Sequence, residues 1–267
     1  MLYHYSMTKL CSLAEAANRP LSEVGGKARA LGQLLAFGAP VPPGLVVPPD
    51  AKLNSKSILT AFDELMAEFV AVRSSAVGED AQGQSWAGQF ESYLYVARDQ
   101  LLPRIAACRA SGSSARATAY DSTRSGMPVA VVVQAMVPAE VSGVLFTANP
   151  VTRDRHQIMV ESVYGLGEQL VQGLATPDNY LLDRTGAVLH RTIAAKTTKL
   201  AGTPAGVREL PVPAAIRDQP ALSSSQLSAL AALAVHLENQ FGHPLDIEFV
   251  YSHGQLFIVQ ARPITTL

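Results

Sequence analysis

Hydrophobic and polar residues alternate most regularly near the C-terminus, over residues 245–251 and 255–263. The intervening Ser252-His253-Gly254 places glycine where a tight hairpin needs a left-handed residue, so the pattern predicts two paired strands. We expect Asp246 to lie opposite Gln260 in this hairpin. Because side chains alternate between the faces of a strand, one face carries polar groups and the other is apolar. The polar face holds Asp246, Glu248, Gln260 and Arg262, and the core face holds Ile247, Phe249, Phe257, Val259 and Ala261.

Elsewhere the pattern mixes helical and strand periods. Leucines at helical spacing, a capping Ser223 and a terminating Gly242 predict a helix over 224–241. Further helices are predicted over 28–37, 58–69 and 100–122. Residues 203–220 hold four prolines and are predicted to form a surface connection. Residues 41–47 are predicted to form a turn and a short strand, and further strands are predicted over 70–73, 93–96, 129–137, 144–147, 157–161, 180–183 and 188–194.

Strands and helices do not alternate strictly, so the fold class predicted is α+β rather than doubly wound α/β. A chain of 267 residues can form two lobes. We expect an N-terminal lobe over 1–120, with a mobile lid loop at 78–89, and a C-terminal lobe over 121–267. The C-terminal lobe is expected to contain the apolar strand 129–137 and the hairpin 245–263.

Composition narrows the class of protein. Hydrophobic residues make up 48% of the chain and charged residues 16%, which is typical of a compact folded protein. A net charge of −1 gives no reason to expect binding to nucleic acid or to an anionic membrane. The N-terminus does not resemble a signal peptide, and the two cysteines form no disulfide framework, so we expect a cytoplasmic protein.

The polar hairpin face carries candidate chemistry. Two carboxylates and an amide oxygen are ligands that suit Mg²⁺, which usually takes one or two carboxylates together with substrate phosphates. An adjacent Arg262 suits a phosphoryl group in transfer. The alternative is a solvated polar face at the edge of a sheet.

Two further cations are candidates for binding phosphate. Gly25-Gly26-Lys27 begins a predicted helix, although it lacks the first glycine and the hydroxyl residue of a P-loop. Arg73 stands at the end of a predicted strand beside two serines. The alternatives are a solvent-exposed lysine and a surface ion pair.

These segments, in this order, resemble the ATP-binding domain of the phosphoenolpyruvate synthase, pyruvate phosphate dikinase and rifampin phosphotransferase family, an ATP-grasp relative. The resemblance covers about residues 10 to 265. Each motif is short, but their order along one chain is specific. The matching stretches are residues 24–28, 41–44, 71–76, 78–80, 85–89, 133–137, 142–150, 161–168, 246–248 and 260–263.

The resemblance implies a two-lobed ATP-grasp-like fold with ATP in the cleft between the lobes. It implies that Lys27, Arg73 and Arg116 hold the nucleotide phosphates. Gln134, Met136 and Val137 would line the adenine pocket, and Glu161 would belong to the nucleotide-binding residues. Glu248 and Gln260 would hold Mg²⁺ with Asp246 nearby. Arg262 would act on the phosphoryl group, with Lys27 and Arg73 as its catalytic partners.

The function implied is an ATP- and Mg²⁺-dependent phosphotransferase, a dikinase-like kinase. The family's phosphohistidine and acceptor domains do not follow Leu267. The acceptor is therefore expected to be a histidine on a separate protein or a small molecule. Two alternatives stay open: an ATP-grasp-type ligase that activates a carboxylate as an acyl phosphate, and a nucleotide-binding subunit that needs a partner chain.

Overall fold

A computed structural model of the chain describes residues 10–51, 55–76, 91–112, 128–203 and 206–267. It divides into two compact units, the first formed by Met1–Ala36 with Pro42–Met136 and the second by Phe37–Val41 with Val137–Leu267. The boundary therefore lies after residue 136 rather than near residue 120. The strand predicted over 129–137 belongs to the first unit, because its main chain pairs with strands of that unit.

The first unit is built on a five-stranded antiparallel sheet with the order β1-β2-β5-β3-β4. Its strands are β1 (Cys11–Ser12), β2 (Gly44–Val47), β3 (Val70–Ala76), β4 (Ser92–Val96) and β5 (Val129–Ala135). Its helices are α1 (Leu13–Ala16), α2 (Leu21–Ala36), α3 (Ser55–Glu64) and α4 (Leu101–Ser111), with a 3-10 turn at Arg98–Gln100.

The core of the first unit forms where α3 and α4 pack on this sheet. Val72 and Val133 are buried in it together with Ile58, Phe62 and Ile105. The central strand β5 is apolar from Val129 to Val133 and is buried as far as Gln134, as expected of a strand whose two faces are both covered. Strand β3 runs to Ala76, beyond the predicted end at Arg73, because Ser74 and Ser75 continue the ladder with β5.

The second unit contains a six-stranded antiparallel sheet with the order β13-β12-β6-β7-β8-β9. Its strands are β6 (Val141–Phe146), β7 (Gln157–Tyr164), β8 (Asp178–Asp183), β9 (Val188–Thr192), β12 (Leu245–Ser252) and β13 (Gln255–Pro263). A separate hairpin joins β10 (Thr198–Thr203) to β11 (Gly206–Pro211). The helices are α5 (Glu168–Val171) and α6 (Ser224–Phe241), with a 3-10 turn at Ala214–Ile216.

Helix α6 has the predicted bounds. Ser223 and Gln226 form a reciprocal capping box at its start, and Gly242 ends it in a left-handed conformation. The second unit also contains a buried ion pair, in which the Lys196 ammonium lies 2.5 Å from Asp178. The Asp178 carboxylate accepts further hydrogen bonds from the main-chain N–H groups of Ala194 and Ala221, so its charge is well compensated. The α+β fold class predicted from the sequence is confirmed.

Candidate functional site

The Gly-Gly-Lys turn, residues 24–28, interrupts helix α2. Gly25 has φ 73° and ψ 173°, which is not helical, and the helix resumes after it. The Lys27 side chain is only 7% exposed, and its Nζ donates a hydrogen bond to the Ser74 carbonyl oxygen at 2.8 Å. The predicted phosphate-binding lysine is therefore held against strand β3 rather than extended into solvent.

The side chain of Ser75 connects β3 to the same turn. Its hydroxyl donates to the carbonyl oxygen of Val24 at 2.8 Å and accepts from the N–H of Ala28 at 3.0 Å. A Cβ atom at Gly25 would lie 2.0 Å from the Ser75 carbonyl oxygen, so only glycine permits this approach. No role was expected for Ser75 from the sequence. The feature that could have indicated one is the pair Ser74-Ser75, which continues an otherwise apolar strand.

Arg73 lies within β3 rather than at its end. Its main chain pairs with Val132 on one side and Ser92 on the other. Because side chains alternate along a strand, Arg73 shares a face of β3 with Ser75, which contacts the Gly-Gly-Lys turn. The structure thus brings Lys27 and Arg73 to neighbouring positions of one unit. Arg116 and the predicted lid loop 78–89 lie outside the described residues.

The predicted adenine-pocket residues follow one another at the end of β5. Gln134 is buried, and its Nε2 donates to the carbonyl oxygen of Pro42 at 3.3 Å. Met136 is half-buried, and its main-chain N–H donates to Phe69 O at 3.0 Å. Val137 is half-buried and is the first residue of the longer segment of the second unit.

In the terminal hairpin Asp246 pairs with Arg262, and Glu248 pairs with Gln260. The predicted pairing of Asp246 with Gln260 was therefore wrong by two residues. A β-bulge after Glu248 shifts the register past Val259, so Phe249 pairs with Ile258. The core face accordingly contains the fully buried Ile258 in place of Phe257 and Val259, which are half-buried.

The predicted polar face does form, with Asp246, Glu248, Gln260 and Arg262 in two adjacent cross-strand pairs; we call it the polar hairpin face. Both Nε and Nη2 of Arg262 lie 2.8 Å from Oδ2 of Asp246. Asp246 was expected to lie near a bound metal ion. In the structure its carboxylate binds and orients the Arg262 guanidinium. Burial raises the pKa of Asp246, and the charge of Arg262 opposes that rise.

Glu161 belongs to the same row of the sheet. It pairs with Val144 on β6, which in turn pairs with Glu248 on β12. Burial raises the pKa of the Glu161 carboxyl, and the nearby Asp246 carboxylate raises it further. Burial and the neighbouring carboxylate thus act in the same direction and both oppose ionisation of Glu161.

Within the described ranges, no group of three or more His, Cys, Asp or Glu residues is arranged to hold a metal ion. The cross-strand pair Glu248–Gln260 offers one carboxylate and one amide oxygen. That set is too small for a closed protein cage but fits Mg²⁺, which keeps waters and takes substrate phosphate oxygens as its other ligands. Among the described helices, none is long and apolar enough to cross a membrane.

Residues 48–267 match the family model described as "Pyruvate phosphate dikinase, AMP/ATP-binding domain". Among curated proteins, the chain is 39% identical to phosphoenolpyruvate synthase of Pyrococcus furiosus, with 80% of this chain and 29% of that protein covered. It is 44% identical to a rifampicin phosphotransferase of Streptomyces sp, with 74% and 23% covered. It is 34% identical to the prodigiosin synthesizing transferase PigC of Serratia marcescens, with 91% and 32% covered.

The chain therefore spans between about a quarter and a third of the length of these relatives. Among solved structures, the ADP complex of N5-carboxyaminoimidazole ribonucleotide synthetase is similar, with a TM-score of 0.45 and 11% identity. That similarity covers 92% of this chain and 47% of the other and is too loose to assign a function.

Proposed function

This chain belongs to the family of the pyruvate phosphate dikinase AMP/ATP-binding domain, and from that membership we propose that it binds ATP with Mg²⁺ and catalyses transfer of a phosphoryl group. The names of its relatives, a phosphoenolpyruvate synthase and a rifampicin phosphotransferase, support this class of reaction. Because the chain spans only part of each relative, the complete reaction, including transfer to an acceptor, is proposed for this chain.

The observation that carries the proposal is the polar hairpin face. It sets a guanidinium with a fixed orientation beside a carboxylate–amide pair, on one side of one hairpin. Transfer of a phosphoryl group requires positioning and neutralisation of charge more than covalent chemistry by the protein. An oriented Arg262 can offer two N–H groups to two phosphate oxygens at once.

We propose the following roles for the other candidate residues, in line with the family resemblance. Glu248 and Gln260 would hold Mg²⁺, which supplies positive charge to the phosphate oxygens when it is bound. Lys27 and Arg73 would bind the phosphates from β3 and the Gly-Gly-Lys turn, and Arg116 completes the proposed set. Gln134, Met136 and Val137 would contact adenine, and Glu161 would support the metal pair through its place in the same row.

The acceptor we propose is a histidine of a separate protein or a small molecule, in the cytoplasm. The nucleotide product separates this reaction from its rival. Dikinase chemistry yields AMP and phosphate, whereas a simple kinase or a ligase that forms an acyl phosphate yields ADP. Chromatography of the nucleotides after incubation with Mg-ATP and candidate acceptors tests the assignment.

The decisive variants are Glu248→Ala and Gln260→Ala. We expect wild-type protein to melt at higher temperature with saturating Mg-ATP, because a ligand selective for the folded state stabilises it. Both variants should lose most of the Mg²⁺-dependent part of that shift and of nucleotide turnover while keeping the wild-type circular dichroism spectrum. Gln255→Ala, at the exposed turn end of the same strand, is the matched control. Absence of any shift in wild type would contradict the proposed function, and wild-type behaviour of both variants would remove the metal assignment.

A further inference from the structure

We propose that Ser75 is a positioning residue for Lys27: its hydroxyl bridges the Ala28 N–H and the Val24 carbonyl oxygen and thereby fixes the Gly-Gly-Lys turn on strand β3. The effect that we expect on nucleotide affinity rests on the proposed function, in which Lys27 binds a phosphate. The effect on the position of Lys27 does not depend on the proposed function.

The hydrogen bonds of the turn carry the inference. In a regular α-helix the N–H of Ala28 would donate to the carbonyl oxygen of Val24, four residues earlier. Here the Ser75 hydroxyl stands between them, accepting from Ala28 N at 3.0 Å and donating to Val24 O at 2.8 Å. Insertion of a side chain into the helical ladder is a recognised cause of a sharp kink.

The kink lies at Gly25, because glycine can adopt a positive φ without steric cost. Gly25 takes a positive φ of 73° and approaches the Ser75 main chain so closely that a Cβ there would lie 2.0 Å from its carbonyl oxygen. Ser75 has no exposed surface, so its hydroxyl contacts protein groups rather than bulk water. The turn therefore contacts the end of β3 in two ways: Gly25 approaches the Ser75 main chain, and the Ser75 hydroxyl binds Val24 and Ala28.

The hydrogen bonds of Ser75 to the turn fix the position of Lys27. It stands between Val24 and Ala28, the two residues that Ser75 binds, and its ammonium donates to the carbonyl oxygen of Ser74 at 2.8 Å. Without the Ser75 hydroxyl, the Ala28 N–H and the Val24 carbonyl oxygen would each lose a buried hydrogen-bond partner. Closing the helix through Gly25 to compensate for that loss would shift Lys27 relative to Ser74.

The first experiment measures the lysine directly and needs no nucleotide. Amine acylation by an N-hydroxysuccinimide acetate, followed by peptide mass spectrometry, gives the rate at Lys27 relative to the exposed Lys56 and the buried Lys196. We expect Lys27 to react at least about tenfold more slowly than Lys56 in wild type. Ser75→Ala should raise the Lys27 rate several-fold and leave the Lys196 rate unchanged.

The matched control is Ser111→Ala, which removes another buried hydroxyl of the first unit, one that donates to the Cys108 carbonyl oxygen. It should leave the Lys27 rate at the wild-type value. Thiol labelling of the buried Cys108 monitors opening of the first unit. Ser75→Cys, which keeps a side chain of similar size with only weak hydrogen-bonding capacity, should give an intermediate Lys27 rate.

The second experiment is a double-mutant cycle on Mg-ATP affinity measured by calorimetry. Ser75→Ala should weaken binding about tenfold, the effect of losing about 1.4 kcal/mol of interaction. If Ser75 acts through the lysine, Ser75→Ala should cause little further loss in a Lys27→Ala background.

Unchanged Lys27 acylation in both Ser75 variants would overturn the positioning role, as would additive losses in the cycle. Rapid Cys108 labelling in both variants would overturn it too, because Ser75 would then support the unit as a whole. A wild-type protein that fails to bind Mg-ATP would contradict the proposed function alone, since the acylation result stands without nucleotide.

Discussion

Lys27 in the first unit and Arg262 in the second are candidate phosphate-binding cations, and each unit holds its cation in a different way. The Lys27 ammonium donates to a main-chain carbonyl oxygen, and a neutral hydroxyl fixes its turn. The Arg262 guanidinium is bound at two nitrogens by the carboxylate of Asp246. One cation is placed by the shape of the backbone, and the other is placed by charge.

The difference matters for a ligand made of phosphates. A carbonyl oxygen such as that of Ser74 orients an ammonium without placing a formal negative charge beside it. A carboxylate orients a guanidinium more firmly but offsets part of its charge, which suits a group that acts on a short-lived transition state more than on bound ATP. We therefore expect Lys27 to contribute to affinity and Arg262 to contribute to rate.

Arg262→Lys is the strongest way to break this comparison. Lys keeps the positive charge but loses the planar fork that binds Asp246 and that we propose to bind two phosphate oxygens. Turnover should fall about 100- to 1000-fold, or roughly 3–4 kcal/mol of transition-state stabilisation. Mg-ATP affinity should change little. Single-turnover transfer and calorimetric titration measure the two quantities separately.

The control for that variant is Arg208→Lys, on the exposed strand β11 of the same unit. It should turn over at the wild-type rate. Equal losses of rate and affinity in Arg262→Lys would make Arg262 a ground-state binder and would remove the contrast with Lys27.

Asp246→Asn tests the charge that holds Arg262. The amide keeps a similar shape but cannot supply the carboxylate, and a hydrogen bond to a charged group contributes about 1.5–3 kcal/mol. Turnover should fall about 10- to 100-fold at neutral pH with affinity nearly retained. Asp183→Asn, whose carboxylate serves a turn after β8, is the control and should keep wild-type turnover.

The sign of the pH effect is specific to Asp246. Burial raises its pKa above the ordinary 3.8, so the folded protein binds this proton more tightly than the unfolded chain. Asp246 therefore contributes stability in acid, and the contribution is lost as pH rises through the raised pKa. In metal-free protein, the melting temperature of wild type minus that of Asp246→Asn should decrease over this interval. A difference that increases with pH would show that the Arg262 charge outweighs burial.

The sequence predicted elements best where the signals are local. Helix α6 has its capping box and its terminal glycine within its own sequence, and its bounds are those expected. Strand β11 lies within the range 203–220 that was predicted to be a surface connection, and no strand was predicted over β10. Strand β11 is mostly exposed and β10 mostly half-buried, so neither has the alternation of buried and exposed positions that marks a strand. The limits of β3 and of the first unit depend on pairing with β5, which is distant in sequence.

The site shows the same division. Alternation alone placed the four polar hairpin residues on one face, but the register depended on a bulge at Val259 that no local signal announces. The pairing of Asp246 with Arg262 followed from that register. The role of Ser75 could not be predicted from the sequence, because it depends on the packing of α2 against β3 and Ser75 lies 51 residues from Val24.

Gly25→Ala gives the smallest expected effect and tests placement by shape alone. It removes no hydrogen-bonding group, yet its Cβ would lie 2.0 Å from the Ser75 carbonyl oxygen, at a φ that side-chain-bearing residues rarely adopt. The turn must move away from β3 and carry Lys27 with it. Mg-ATP affinity should fall about three- to tenfold, while the single-turnover rate at saturating nucleotide changes less than twofold. Gly38→Ala has a similar φ of 81° but open space around the added Cβ, so it separates backbone strain from the contact with Ser75. If both alanines weaken binding equally, the fit of the turn against β3 does not place Lys27, and the contrast with Arg262 loses its structural basis.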